Sequence, residues 1–306
     1  MTPPSNKPPL PAWIALGANP PAEAVAWFQA RKLLQPSYAW EDVWQAEHGK
    51  AFTVAKMMQL DLLQTVYDAV GKALTEGKTL REFSAELRPL LEKAGWWGKK
   101  EMTDPATGES KTVQLGSPER LQLIYEVNLR TAYSVGAWAR IDRNKETLPF
   151  ILYRTMRDER VRASHARWEG LALPVDDSFW NTHFPPNGWR CRCWVYAIDQ
   201  AGIDRLRQDG FNITTTAPDT PTVEWVNRRT GTVEQVPVGI DPGWGYNPGK
   251  SAMPHLASAL LDKAAGANPA MAAAAVADAW RTIPGFGNAL EEDFAAWAAA
   301  VDAAKV

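Results

Sequence analysis

Apolar positions recur at three- and four-residue intervals from Ala51 to Leu74: Phe52, Val54, Ala55, Met58, Leu62, Leu63, Val66, Val70 and Leu74. That spacing puts them on one stripe and predicts a long amphipathic helix over the stretch. A shorter helical pattern runs from Pro21 to Gln35, with Ala24, Val25, Trp27, Phe28 and Leu33 on its apolar face, and Pro36 ends it. Thr79 stands three residues before Glu82, the spacing of a capping box, and Leu80, Phe83, Leu87, Leu90 and Leu91 follow. Pro89 in that run is placed to kink or shorten the helix. Ser117 before Pro118 and Glu119 reads as an N-cap, a first-turn proline and an acid that complements the helix dipole; the helix it starts extends to about Arg143. Between these helices, Thr103 to Glu109 is turn-rich and reads as a small hairpin or an exposed loop.

The pattern changes near residue 148. Phe150 to Arg154 is a short strand, and Thr222–Val226 with Val233–Val238 form a strand pair joined through Asn227-Arg228-Arg229-Thr230-Gly231. Asp241 to Gly249 is too rich in glycine and proline for regular structure and reads as a linker or a docking strap. From His255 onward the chain is alanine-rich and helical, broken at Asn268-Pro269 and at Pro284-Gly285-Phe286-Gly287. The fold class expected is α+β: a helical domain packed on a small mixed module, with a helical tail. The expected divisions are a proline-rich arm at 1–21, the helical domain at 22–148, the module at 149–200, a hairpin and linker at 201–254, and the tail at 255–306. The hairpin and tail are expected to be peripheral.

Composition narrows the setting. The chain has 306 residues, 45% of them hydrophobic and 22% charged, the balance of a globular protein with a real core. A net charge of −2 argues against a uniformly basic nucleic-acid coat, so any DNA contact must be regional. The start lacks the apolar run of a secretory signal, which points to synthesis in the cytoplasm. No uninterrupted apolar run reaches the ~18 residues of a membrane span. Fifteen tryptophans are the outlier, and their first meaning is packing or protein contact.

The candidate chemistry lies between Asp158 and Trp194, which holds both cysteines and two of the four histidines. In an extended segment Trp189, Cys191, Cys193 and Val195 share one face, so both thiols point the same way. A disulfide across one intervening residue would be a cramped ring, and reduced thiols are expected. With His165 and His183 folded onto that face, His165, His183, Cys191 and Cys193 offer two nitrogens and two sulfurs, a set that suits one structural zinc. The alternative is that the cysteines are buried as small apolar groups, no cofactor is bound, and the histidines bond to backbone.

A catalytic reading can also be assembled, with Asp158, Glu159 and His165 as acid, base and orienting group and Cys191 as nucleophile. Against it stands a carboxylate–arginine network in which Asp158 pairs with Arg160, Arg162 or Arg190. No phosphate-cradling glycine loop, serine elbow or His-Glu-x-x-His string is present, so no catalytic residue is assigned. Five arginines between Arg154 and Arg167 outnumber Asp158 and Glu159. Such a run either meets phosphates or is internally paired.

Asp158-Glu159-Arg160, Ser164-His165, Trp168-Glu169-Gly170, Phe179-Trp180, His183, Pro185-Pro186-Asn187-Gly188-Trp189 and Cys191-Arg192-Cys193, taken in order, resemble the signature of the phage Mu F-like minor head proteins, also called the SPP1-type head morphogenesis family. The upstream strings Gly95–Lys100, Val113–Pro118 and Asn128–Tyr133 resemble it too, so the likeness spans roughly residues 40 to 200. The resemblance implies a structural virion component of a tailed phage or prophage. It implies association with the portal protein, the major capsid protein or a scaffold, and action in head morphogenesis or at the DNA exit route. It places the protein in the host cytoplasm during assembly and then inside the head near the portal vertex. Many relatives carry a Cys-x-x-Cys pair where this chain has roughly Arg162 and His165. Two other readings remain: a protein that binds packaged DNA and is ejected with the genome, and a metal-dependent hydrolase.

Overall fold

The computed structural model describes residues 20–266 and 268–282. In chain order the first part comprises α1 (Ala22–Ala30), β1 (Leu33–Leu34), β2 (Ala51–Phe52), α2 (Leu60–Glu76), α3 (Leu80–Lys93), β3 (Lys99–Thr103), β4 (Ser110–Gln114) and α4 (Pro118–Arg143). There follow β5 (Phe150–Arg154), the short α5 (Ala163–Ala166), β6 (Ala172–Pro174), β7 (Trp194–Ile198) and α6 (Gln200–Gln208). Then come β8 (Thr222–Val226), β9 (Val233–Pro237), α7 (Pro248–Ala265) and α8 (Pro269–Thr282). The fold is α+β, with several small sheets.

Helix α4 joins two hydrophobic cores. Its first half puts Leu121, Ile124, Ala132 and Val135 among Trp27 and Phe28 of α1, Leu63, Val66 and Val70 of α2, and Phe83, Leu87 and Leu91 of α3. Its last turns turn Trp138 and Ile141 into the second core, with Ile151, Tyr153, Trp168, Phe179, Trp180 and Phe184. The start is fixed as its sequence demands: the Ser117 hydroxyl accepts the Arg120 N–H, Pro118 takes the first turn, and Glu119 lies beside it. The capping box at Thr79 and Glu82 likewise starts α3, which continues through Pro89 to Lys93.

Three expectations need correction. The helix read from Ala51 begins only at Leu60, because Ala51 and Phe52 pair in parallel with Leu33 and Leu34 as β2. Lys56 then takes a left-handed φ of 68° that no helix accommodates. The apolar spacing was satisfied without one continuous helix, since Phe52, Val54 and the stripe of α2 enter the same core. The tail helix begins at Pro248, seven residues before His255, because Asn247 Oδ1 accepts the N–H groups of Gly249 and Lys250 ahead of it. Nor is α7 peripheral: Ala252, Met253 and Leu256 are buried in the first core, and at Gly249 a Cβ would collide with Trp138. The proline-rich arm and the Pro284–Gly287 break lie outside the described residues.

The second core is floored by an antiparallel sheet of order β6-β5-β7, with Leu152 opposite Ala172 and Tyr153 opposite Val195. The β8–β9 hairpin keeps Val223, Val226 and Val233 exposed, yet Trp225 stacks on Trp44 at 5.1 Å. From there a chain of rings runs through Trp40 (5.8 Å from Trp44) to Trp189 (6.1 Å) and Trp244 (5.1 Å). The tryptophan excess is thus spent on joining segments remote in sequence.

Candidate metal centre

Residue pairing places the two cysteines. β7 is held against β5 so that Trp194 faces Arg154 and Val195 faces Tyr153, which brings the residues just before β7 to the end of β5. The extended face drawn from Trp189 does not exist as a strand: Arg190 takes a φ of 60°, and the Cys191 N–H closes a turn on the Gly188 carbonyl at 3.1 Å. Trp189 is swung away into the tryptophan chain. Cys191 and Cys193 still point the same way, both free thiols, with Cys191 buried and Cys193 half-buried. Helix α4 fixes this turn from outside, as Arg130 donates to the Cys191 carbonyl at 2.7 Å and Ser134 to that of Pro185. The Pro185–Pro186 peptide is cis.

His165, on α5, completes the group. Its Nε2 lies 2.9 Å from the Gly239 carbonyl, which can only accept, so Nε2 carries a proton and Nδ1 is the nitrogen turned to the sulfurs. Nδ1 lies 3.6 Å from the Cys191 sulfur and 3.6 Å from the Cys193 sulfur. The three ligand atoms fall within 4.8 Å of one another. Ligands of one tetrahedral zinc, at ~2.0–2.3 Å from the ion, are themselves about 3.5 Å apart. The two nitrogen–sulfur separations match that spacing, so the donor set suits three of the four positions of such a metal, and a histidine held by a backbone carbonyl through its second nitrogen is the usual way such a ligand is oriented.

The surroundings favour negative sulfur at one position. A hydrogen bond from Cys193, then contacts with His165 and the Asn187 backbone N–H, hold the Cys191 thiol well below its ordinary range against the opposing effect of burial. The neighbouring Cys191 and burial push Cys193 up, while the Tyr153 hydroxyl partly offsets this. Tyr153, fully buried, also donates to Asn187 Oδ1 at 2.9 Å. Among the described residues no carboxylate joins the trio.

His183 does not reach the group. It is buried against Phe179, stacked at 4.2 Å, with its edge to Trp168 and its Nδ1 on the Thr182 hydroxyl at 2.7 Å. Burial pushes its pKa down to about 4. The aromatic content around Phe179 gives the ring a better place than the sulfurs do.

Ion pairs clasp the centre. Asp158 receives both ends of the Arg192 guanidinium, at 2.6 and 2.7 Å, so the carboxylate–arginine network forms with a partner outside the three expected. Arg160 contributes only its backbone N–H to Asp158, at 3.1 Å. Arg162 reaches Asp241 through two bonds of 2.9 and 3.0 Å and the Trp189 carbonyl at 2.8 Å, while the Trp189 N–H donates to the same Asp241 at 2.8 Å. A Cβ at Gly188 would collide with that pair. Arg154 and Arg157 share Glu169. Three of the five arginines in the basic run are thus internally paired. With Asp158 taken by Arg192 and Glu159 exposed, the acid–base set imagined from sequence does not assemble around Cys191.

The remaining signature residues are structural. Trp168 is buried and stacks on His165 at 5.2 Å. Trp180 is fully buried, with its Nε1 on the Pro174 carbonyl at 2.9 Å. Gly170 has φ 78° and returns its N–H to the Tyr153 carbonyl, where a side chain would strike the Asn212 carbonyl. Asn187 is wholly buried. The reading of the sequence missed Gly239, Asp241 and Tyr153. Asp241 stood in the segment read as a strap, but nothing in a single sequence pairs it with Arg162.

An α+β chain whose small three-stranded sheet carries a histidine–dithiol knot, clasped by a strap from beyond the next hairpin, is a scaffold built around one cross-tied module. The chain belongs to the phage Mu F-like family: the profile described as "Phage Mu protein F like protein" matches residues 64–196, from α2 into β7 and across the whole trio. It is 39% identical over 246 residues to the "Putative capsid assembly protein F" of Escherichia phage Mu, covering 76% of this chain and 55% of that protein. It is 34% identical over 227 residues to the "Mu-like prophage FluMu F protein" of Haemophilus influenzae, covering 71% and 53%. The chain thus spans about half the length of these relatives. No solved structure matches it.

Proposed function

We propose that the protein is a structural component of a tailed-phage or prophage head, acting in head assembly through contacts with the major capsid protein, the portal protein or a scaffold. The observation that carries this reading is the similarity to the Mu protein named for capsid assembly, which extends over 76% of this chain. The geometry supports it. The signature residues serve packing and clasping, and the tryptophan chain and exposed hairpin face are of the kind that protein interfaces use. In this reading the chain acts in the host cytoplasm during assembly and stays in the head of the virion.

His165, Cys191 and Cys193 would hold one zinc ion, which when bound ties the strap-held α5 to the root of β7. The internal pairing of Arg154, Arg157 and Arg162 closes three of the five arginines of the basic run on carboxylates, which takes that run away from the DNA-escort reading. The test is deletion of the gene in its phage or prophage, with mass spectrometry of purified procapsids and virions. Loss of head yield, DNA retention or infectivity, with the protein present in wild-type particles, is the expected result. Particles that lack the protein, and an unchanged yield of infectious phage on deletion, would overturn it.

A further inference from the structure

A cavity of about 730 Å³ opens between Arg31 at the C-cap of α1, α4, the segment from Ser37 to Lys56, the β3–β4 hairpin, the β8–β9 turn and the segment around Trp244. Six cationic side chains line it against three carboxylates, and one of the three, Asp104, is already engaged by Arg229. The deepest cation is Arg31, only 4% exposed. It donates to the Ala51 carbonyl at 2.8 Å and to Asn128 at 3.3 Å, while its Nε is buried with no partner. It lies over the ring of Trp27 at 4.7 Å, and among the described residues no carboxylate pairs with it. Burial pushes its pKa down to about 10.

Two further cations share this condition. Arg120 donates to the Ala55 carbonyl and lies 5.7 Å from the ring centre of Trp96; burial lowers its pKa with nothing opposing it. Lys56 donates to the Tyr38 carbonyl at 3.0 Å, and burial, Arg120 and Lys111 lower its pKa against a smaller opposing pull from Glu41 and Asp104. Neutral carbonyls and ring faces hold these charges in place without neutralising them. A desolvated set of this kind, in which Arg120 also repels Lys56, costs stability in the free protein, and an anion offsets that cost.

We propose that this cavity is a docking site for an acidic peptide segment of a partner protein, with carboxylates meeting Arg31, Lys56 and Arg120 and apolar side chains lying on Trp40, Trp189 and Trp244. The cations come from separate segments, the C-cap of α1, the loop before α2, β4, α4 and the β8–β9 turn, and so are strung along the wall. Spaced carboxylates on an extended chain match that arrangement. A polyphosphate would call for a focal nest of backbone N–H groups, whereas the cations here are side chains on separate segments. Aromatic walls with arginine are also the composition of protein–protein anchor sites. The proposal rests on the head-assembly reading for the identity of the partner, but not for the binding itself.

The experiment is fluorescence polarisation with the full chain and a short labelled peptide rich in glutamate and phenylalanine. Its glutamine counterpart, inorganic tripolyphosphate and a thymidine oligonucleotide serve as competitors. The acidic peptide is expected to bind about ten-fold or more tightly than the glutamine form. The double variant Lys56→Gln, Arg228→Gln, on a loop and an exposed hairpin turn, is expected to weaken it about ten-fold at unchanged melting temperature. Arg205→Gln on α6, far from the lining, is expected to leave it unchanged. Equal affinity for both peptides, full binding by the double variant, or preferential binding of the oligonucleotide or tripolyphosphate would each overturn the proposal. Loss of head assembly on gene deletion reads the head-assembly reading alone, so the two can fail separately.

Discussion

The module and the cavity handle buried charge in opposite ways. In the module Arg154, Arg157, Arg162 and Arg192 each face a carboxylate, at Glu169, Asp241 or Asp158. In the cavity Arg31, Arg120 and Lys56 face carbonyls and rings. A network that is closed on itself holds a shape, and one left open by charge awaits a partner. One chain thus keeps its closed ion pairs for holding shape and its open cations for recognition.

The module's rigidity is the side of the contrast most easily broken. Trp180 is fully buried in the second core, bonded to Pro174 and flanked by Phe179 and Phe184. Trp180→Ala is expected to cost about 3–5 kcal/mol, read as the midpoint shift in a denaturant titration. A loss under about 1 kcal/mol would mean that the second core is not the closed unit described.

Acid is expected to loosen the module before it affects its carboxylates. His183 has a folded pKa of about 4 against 6.5 for the free ring, so the unfolded chain takes the proton first. Stability is then full above the unfolded value and falls as the pH drops from about 6.5 towards 4, by up to ~1.4 kcal/mol per pH unit. His48, also pushed down to about 4 by burial with Arg31 nearby, acts in the same direction. The carboxylate of Asp158, held low by Arg192, loses its contribution only below that window. His183→Gln should flatten the slope between pH 6.5 and 4 in urea titrations, whereas an unaltered slope would assign it to other groups.

Metal tests the knot directly. On protein purified without a histidine tag, about one zinc per chain is expected by elemental analysis, lost in Cys191→Ser. Added zinc at about a hundred times its dissociation constant is expected to stabilise the chain by about 2.7 kcal/mol. His183→Gln should keep the metal, because the trio does not include it. Retention of full zinc by Cys191→Ser, or none in the wild type, would leave the cysteines as packing.

What could be read from the sequence follows from the range of the forces involved. The hairpin β3–β4, the capped start of α4, strand β5 and the β8–β9 pair are set by neighbours within a few residues, and the residue pattern located them. The start of α2 was misread because β2 and α2 feed one core, and apolar spacing alone cannot mark the break at Lys56. At the site, Cys191, Cys193 and both histidines were readable as ligand types, but the sequence does not show that Gly239, 74 residues away, turns His165 to the sulfurs while Phe179 and Thr182 hold His183 apart from them. Asp241 was out of reach for the same reason, 79 residues from Arg162. The state of Arg31 was invisible in the sequence, since it consists of a carboxylate that no described element brings near.

The smallest expected effect sharpens the comparison most, because one substitution is made on each side of it. Arg162 and Asp241 form a two-bond pair that also holds Trp189, with side chains 39% and 28% exposed. Water at that exposure screens the pair, and Arg162→Met is expected to cost about 1–2 kcal/mol, chiefly by leaving Asp241 beside the Trp189 carbonyl without its cation. Arg31 is buried at 4% exposure and has no such carboxylate among the described residues, so Arg31→Met removes a desolvated charge and keeps the apolar stem against Trp27 and Phe28. Its stability is expected within about 1 kcal/mol of the parent, or above it, because an apolar side chain of similar volume avoids the cost of burying an uncompensated ion. The two variants are compared by thermal and urea denaturation at one pH. If Arg31→Met proves the more damaging, Arg31 is a structural tie like Arg162, and the division between a closed module and an open cavity fails at its central residue.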